Sequence, residues 1–189
     1  MYYARVVIGV LFGVLVFALL DYTLPSRETV RISNTYNRLT AIPPSASVFW
    51  ASDSTGTVEN MQGQRDVRFV DTVRPGGRVR VYRNEDTGWV WPPYFKYDSA
   101  NLQAEATNLQ SSAQAPIWVS ITSYGWRMPW LSTYPNAISI NTVAGPNERP
   151  LNWPAIAICL VLLAFLALIW RMWAQFRQRG LARFRRGPR

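Results

Sequence analysis

Two long apolar segments lie near the ends of the chain, and they constrain every fold that it can adopt. The first, residues 6–20, carries no charge and with its neighbours approaches the ~20 residues that cross a bilayer. The second, residues 153–173, opens with a proline at position 154, which suits the first turn of a helix. We therefore predict two transmembrane helices that flank a domain formed by the residues between them.

Each apolar segment has an alternative interpretation. The first resembles the apolar region of a cleaved signal peptide, but residues 17–21 (FALLD) offer no convincing cleavage site of small residues. The second has the composition of a buried core helix, but a polybasic stretch follows it directly. Because such a flank is typical of a membrane span, the sequence favours an anchor at each end.

The distribution of charge predicts an orientation in the membrane. The net charge is +9, and residues 171–189 hold seven arginines and no acidic residue. Residues 21–152 hold twelve basic and eleven acidic residues, so this part is almost neutral. Since arginine-rich flanks stay in the cytoplasm, both termini are predicted to be cytoplasmic, in agreement with Arg5. We expect a bacterial inner-membrane protein with residues 21–152 in the periplasm.

The predicted fold is a membrane-anchored α+β protein with a small, mainly-β periplasmic domain. Its parts are transmembrane helix 1 (1–24), the mainly-β domain (25–151), transmembrane helix 2 (152–173) and an Arg-rich cytoplasmic tail (174–189). Alternating apolar residues predict strands near 28–38, 67–73, 78–83, 117–122 and 138–140, and residues 74–77 (RPGG) predict a hairpin turn between the second and the third. One helix is expected from Ser99 to about Leu109, with Asp98 as its cap. This order matches the five-stranded OB-fold barrel, and a β-sandwich with one helix is the alternative.

The residue types in the chain exclude several kinds of catalytic and metal site. Histidine is absent, and Cys159 is the only cysteine, so imidazole chemistry, intramolecular disulfides and cysteine clusters are excluded. Residues 86–88 (DTG) resemble the loop of aspartic proteases, but those enzymes need two carboxylates that share a proton. We therefore predict that the protein is not an enzyme and binds no cofactor.

A group of oxygen-bearing side chains around residue 85 suggests one other site. Glu85 and Asp86, with Asn84 and Asp98, carry the oxygen ligands that hard cations prefer. Their spacing fits no EF-hand loop. A solvated turn, paired with a neighbouring basic side chain, is the simpler interpretation, and no metal site is predicted.

Aromatic residues are concentrated in two stretches of the central domain. They have three interpretations: a hydrophobic core, a rim that rests on lipid headgroups, and a surface for a protein partner. Base stacking is a fourth use of aromatic residues, but a periplasmic domain meets little nucleic acid. The candidate partner surface consists of Trp89, Trp91, Tyr94, Trp126, Arg127 and Trp130.

The apolar segments contain small residues that allow helices to approach closely. Gly9 and Gly13 form a G-x-x-x-G pattern, and Ala157 and Ala164 provide small positions in the second segment. The predicted anchors at the membrane interface are Trp153, Trp170, Arg171, Trp173 and Arg177. The tail that follows, with Gly180 as a predicted break, is expected to bind anionic lipid.

Two strings of residues carry a resemblance to a known family. The first signature comprises residues 83–89 (RNEDTGW), 91–96 (WPPYFK) and 98–104 (DSANLQA). The second signature comprises residues 124–127 (YGWR) and 135–137 (PNA). Both resemble an uncharacterised proteobacterial inner-membrane protein family, known as a domain of unknown function. The resemblance implies a membrane anchor and an exported domain, and it assigns no activity.

These observations together predict a structural role. We expect a non-catalytic accessory or scaffold subunit of a larger inner-membrane complex, with respiratory and photosynthetic complexes as the assemblies considered. Its partners would be the lipid bilayer and other integral membrane subunits, and no nucleic acid. The alternative is a stand-alone envelope protein whose periplasmic barrel binds or senses a small ligand.

Overall fold

The computed structural model describes residues 2–42, 44–50, 64–88, 92 and 94–185. It contains two apolar terminal helices and a central, mainly-β domain with one helix, which confirms this level of the prediction. The helices are α1 (Tyr2–Thr23), α2 (Ser99–Asn108) and α3 (Trp153–Arg185). The strands are β1 (Ser26–Ala41), β2 (Gln64–Val73), β3 (Val79–Asn84), β4 (Trp118–Tyr124) and β5 (Asn136–Thr142). Short 3₁₀ turns cover Pro44–Phe49 and Pro129–Leu131.

The five strands form one closed sheet in the order β1-β2-β3-β5-β4. The long strand β1 makes closure possible because its first half pairs with β4 and its second half with β2. The register of β1 against β2 shifts between Ile32 and Asn34, and such an irregularity bends a strand. Strands β3 and β5 pair in parallel, whereas the other neighbours are antiparallel. The sheet therefore closes on itself, unlike the two packed sheets of a sandwich.

Side chains from all five strands fill the interior of the closed sheet. The alternation seen in the sequence puts one face of each strand inside, and α2 covers the core with Leu102 and Ala106. The buried strand residues of this core are Val30, Ile32, Val70, Tyr82, Val119, Ile121, Ala137 and Ile140. The β2–β3 hairpin turns at residues 74–77, as predicted, and its two glycines have φ of +93° and +83°.

The N-terminal end of α2 differs from its prediction. Asp98 occupies the cap position but makes no side-chain hydrogen bond to the helix. Asp86 supplies the acceptors: its Oδ1 accepts the Ser99 N–H at 2.9 Å, and its Oδ2 accepts the Ser99 hydroxyl at 2.7 Å. The prediction that Asp98 caps this helix through its side chain was therefore wrong, because a residue twelve positions upstream is folded back onto the helix start.

The two terminal helices are long and apolar enough to cross a membrane. The suitable segments are Tyr3–Thr23 and Trp153–Gln178, and neither is buried inside the protein. Residues 1–151 form one compact unit, and residues 152–189 form another. Helix α3 continues through Gly180 to Arg185, so the predicted break at this glycine was wrong.

Candidate functional site

The two signatures meet at a seam between β3 and β5. The only pairing of these strands within the described residues is between Arg83 and Asn136. Next to it, the Arg83 N–H donates to the Pro135 carbonyl at 3.0 Å. The side-chain amide of Asn136 accepts from the Glu85 N–H and donates to the Glu85 carbonyl, each at 3.0 Å. Because an amide side chain carries the donor and acceptor of a peptide group, Asn136 extends the ladder where the strand pairing ends.

A buried ion pair lies at this seam. Arg83 and Glu85 approach to 3.1 Å, and their side chains are only 2% and 3% exposed. The guanidinium of Arg83 lies 4.9 Å from the centre of the Trp50 ring, which covers it. Both carboxylate oxygens of Glu85 lack a hydrogen-bond partner among the residues that the structure describes. The predicted pairing with a neighbouring basic side chain is confirmed, but the prediction that the turn is solvated was wrong, because Glu85 and Asn84 are buried.

The single lysine of the chain also connects the two signatures. The Lys96 ammonium donates to Asn84 Oδ1 at 2.5 Å and to the carbonyl of Ala137 at 2.6 Å. Burial lowers the pKa of Lys96 to about 8, against the opposing attraction of the nearby Asp86 carboxylate. A lysine with a lowered pKa can act as a base, but this one is buried and already bonded to both signatures. Its contacts indicate a structural role.

The oxygen ligands considered for a cation are not brought together. Asp86 is bonded to the start of α2, Glu85 faces Arg83, and Asp98 is exposed. In the described part of the chain, no three histidine, cysteine, aspartate or glutamate residues are close enough to hold a metal ion.

The end of α1 is packed into the same end of the sheet. The Tyr22 ring makes edge-to-face contacts with Phe49, Tyr124 and Trp126, at centroid distances of 5.4, 6.2 and 5.4 Å. The Tyr22 carbonyl accepts the Gly125 N–H at 3.0 Å. Gly125 has φ of +92°, a conformation that side chains disfavour, and a Cβ there would lie 3.5 Å from the Tyr22 ring. The second signature therefore forms a socket for the last turn of α1.

Two polar contacts complete this junction between α1 and the sheet. The Trp126 indole N–H donates to Asp21 Oδ2 at 2.8 Å, and the Tyr94 hydroxyl donates to the Thr23 carbonyl. Tyr94 also stacks on Tyr124 at 4.8 Å, and burial raises the pKa of its hydroxyl. The apolar helix thus enters the domain through packed aromatic rings and not through a free linker.

The residues of the predicted partner surface fall into three groups. Trp89 and Trp91 lie outside the described residues, whereas Tyr94 and Trp126 belong to the junction with α1. Arg127 donates to the Thr133 carbonyl at 3.0 Å and lies 4.1 Å from the centre of the Tyr134 ring. Arg127 and Trp130 form the third group because both are exposed, Trp130 to 79%, whereas Tyr94 and Trp126 are half-buried.

The residues predicted to act within the membrane are all uncovered. A Cβ placed on Gly9 or Gly13 would meet no atom within 4 Å, and Ala157 and Ala164 are exposed. The predicted interface anchors are likewise exposed: Trp153, Trp170, Arg171, Trp173 and Arg177. Their roles in helix packing and membrane anchoring stay predictions.

Comparison with known proteins identifies the family. Residues 1–177 match the sequence model of a family described as "Protein of unknown function (DUF1523)". A relative from Haemophilus influenzae, named "Uncharacterized protein", is 30% identical over 169 residues, which cover 88% of this chain and 90% of the relative. No solved structure matches the chain. The chain belongs to the DUF1523 family, and the resemblance seen in the sequence is confirmed.

Proposed function

We propose that this member of the DUF1523 family is a non-catalytic integral inner-membrane protein that serves as a structural or accessory subunit of a larger membrane complex. Its central domain is assigned as an OB-like barrel, because the strand order, the parallel β3–β5 pair and a helix between β3 and β4 agree with that architecture. The proposed topology has both termini in the cytoplasm and residues 21–152 in the periplasm. Respiratory and photosynthetic complexes remain the assemblies considered.

The observation that carries this proposal is the packed junction between α1 and the barrel. A domain that only needed a tether would be joined by a flexible linker. Here Tyr22, inside the last turn of an apolar helix, is buried among aromatic residues of the barrel. This arrangement fixes the direction in which the barrel stands on the helix, which is what a scaffold requires. Uncovered small residues on both apolar helices supply surfaces for neighbouring subunits.

The non-catalytic character is supported by how the charged groups of the signatures are used. Asp86 accepts a hydrogen bond at the start of α2, and Glu85 is paired with Arg83. The Lys96 ammonium donates to the carbonyl of Ala137. Each group is therefore bonded to or paired with another group of the protein itself.

Topology is tested first, with fusions of alkaline phosphatase after Gly63 and of a fluorescent protein after Arg189. We expect an active phosphatase and a fluorescent C-terminal fusion. An inactive phosphatase at Gly63 contradicts the proposed orientation.

Partner binding is tested by purification in mild detergent, followed by mass spectrometry of the proteins that elute together. We expect Trp130→Ala to reduce the recovery of a partner, because this side chain is 79% exposed and supports little of the fold. Leu39→Ala is the matched control, since Leu39 is an exposed apolar residue near the far end of β1. A chain that elutes alone, unaffected by Gly9→Leu with Gly13→Leu, contradicts the scaffold proposal.

The alternative function is a stand-alone envelope protein whose barrel binds or senses a small ligand. A ligand site inside the barrel has little support, because large side chains such as Tyr82 and Ile121 fill the interior. A ligand site would have to lie outside that core.

A further inference from the structure

A polar groove lies beside the start of β1 and the β2–β3 turn. It has a volume of about 750 Å³, within the range of ligand sites, and it is lined by β1, by the β2–β3 turn and by the segment that leads to α3. Its charged lining residues are Arg27, Glu28, Arg74, Glu148 and Arg149. Arg80 is also bonded to Glu28 at 2.8 Å. Four guanidinium groups therefore face two carboxylates, which leaves an excess of positive charge.

The carboxylate of Glu28 is saturated and cannot neutralise the remaining arginines. Arg74 donates to both of its oxygens, at 3.0 and 2.7 Å, Arg80 donates to Oε1, and the Tyr82 hydroxyl donates to Oε2 at 2.8 Å. Two arginines thus share one negative charge. This clamp holds the guanidinium of Arg74 in place at the wall of the groove.

Two further arginines have free donors at the groove. Arg27 donates one terminal N–H to the Leu151 carbonyl at 2.9 Å and makes no other side-chain hydrogen bond with the described residues, so its other terminal N–H groups have no acceptor there, while its Nε is buried. Arg149 is exposed and has no side-chain hydrogen bond or ion pair with the part of the chain that the structure describes. Planar guanidinium groups are well suited to phosphate oxygens.

The groove lies close to both apolar helices along the chain. Arg27 follows the end of α1 by four residues, and Arg149 precedes the start of α3 by four. Four residues span at most about 14 Å, so each arginine is near the level at which its helix leaves the membrane. This step rests on the proposed membrane topology.

We propose that the groove binds the phosphate of an anionic lipid headgroup in the periplasmic leaflet, with Arg27 and Arg149 as the principal donors and Arg74 as a fixed contact. A free phosphate ion shares this chemistry. The lipid is favoured because Arg27 and Arg149 each lie within four residues of an apolar helix along the chain, and headgroups are concentrated where such a helix leaves the membrane.

The test measures lipid binding to the full chain in neutral detergent, by native mass spectrometry, with phosphatidylglycerol and phosphatidylcholine titrated separately. Arg27→Gln with Arg149→Gln is the groove variant. Arg38→Gln with Arg78→Gln is the matched control, because both residues are exposed and neither lines the groove. The Arg-rich tail is unchanged in both variants, so its own lipid binding cancels in the comparison. Arg149→Gln alone is added because it removes no contact with the described residues.

We expect the wild type and the control to bind phosphatidylglycerol about tenfold more tightly than the groove variant, since each basic group near a lipid surface contributes appreciably. Arg149→Gln should show a smaller loss in the same direction. Equal losses in groove and control variants would overturn the proposal, as would competition by inorganic phosphate without any preference for phosphatidylglycerol. The proposed function is tested by other experiments, the phosphatase fusions and the partner purification, so its failure can be distinguished from a failure of the lipid site.

Discussion

The start of α2 offers a sharp test, because two aspartates compete for the same role. Asp86 accepts two hydrogen bonds from Ser99, at 2.9 and 2.7 Å, and Ser99 is buried. Hydrogen bonds to a charged group contribute about 1.5–3 kcal/mol each, but they are not additive, and a lost cap costs about 0.5–2 kcal/mol. We expect Asp86→Ala to lower the free energy of unfolding by about 3 kcal/mol, since Ser99 keeps two buried donors without an acceptor.

Asp98 provides the matched control at the position that the sequence favours. Its side chain is exposed and bonds to no helix N–H, so only its charge near the start of the helix helps. That effect amounts to about 0.3–1 kcal/mol, and Asp98→Ala should cost no more than this. Asp86→Asn, which keeps one acceptor oxygen, should fall between the two.

The assay is urea unfolding of the full chain in mild detergent, followed by tryptophan fluorescence. Circular dichroism at low urea confirms that each variant starts from the folded state. The reasoning is refuted if Asp98→Ala costs as much as Asp86→Ala, because the helix would then be capped locally. Equal, small losses for both variants would also refute it.

Three further predictions follow from the seam and the junction. Burial lowers the pKa of Lys96 from 10.5 to about 8, so the unfolded chain binds more protons than the folded chain between these pH values. The free energy of unfolding of the wild type, relative to that of Lys96→Met, should therefore rise by about 2 kcal/mol from pH 7 to pH 9.5, as measured by urea unfolding. Glu85→Ala should cost about 3–5 kcal/mol, because it leaves Arg83 charged and unpaired, whereas replacing both residues by leucine should cost less in the same assay. Tyr22→Ala should cost about 3–4 kcal/mol through lost aromatic packing. Tyr22→Phe should cost about 1 kcal/mol, because the hydrogen bond from the hydroxyl to the Phe49 carbonyl is long, at 3.5 Å.

Local patterns in the sequence were sufficient for the elements of the fold. Period-two alternation located the strands, and the two glycines after Pro75 located the hairpin turn, because both signals depend on neighbouring residues alone. The extent of β1 was underestimated: it runs over Ser26–Ala41, and its second half is set by pairing with β2. The end of α3 was also missed, since one glycine is tolerated within a long helix.

The seam could not be predicted because its partners are distant in sequence. Arg83, Glu85 and Lys96 are charged, and charged residues in a turn are usually solvated. What buries Arg83 is the Trp50 ring, which comes from another segment. The sequence contains one signal of the seam. Lys96 is the only lysine beside nineteen arginines, which indicates a position where a compact ammonium fits and a planar guanidinium does not.

The two signatures come together in the folded domain, although they are distant in sequence. The first supplies Glu85 and Lys96 to the seam, and the second supplies Asn136 to the seam and Trp126 to the junction with α1. These residues bond to one another and to the last turn of an apolar helix. The strings by which the chain resembles its family therefore build a joint between α1 and the barrel, and this joint is the observation on which the proposed scaffold role rests.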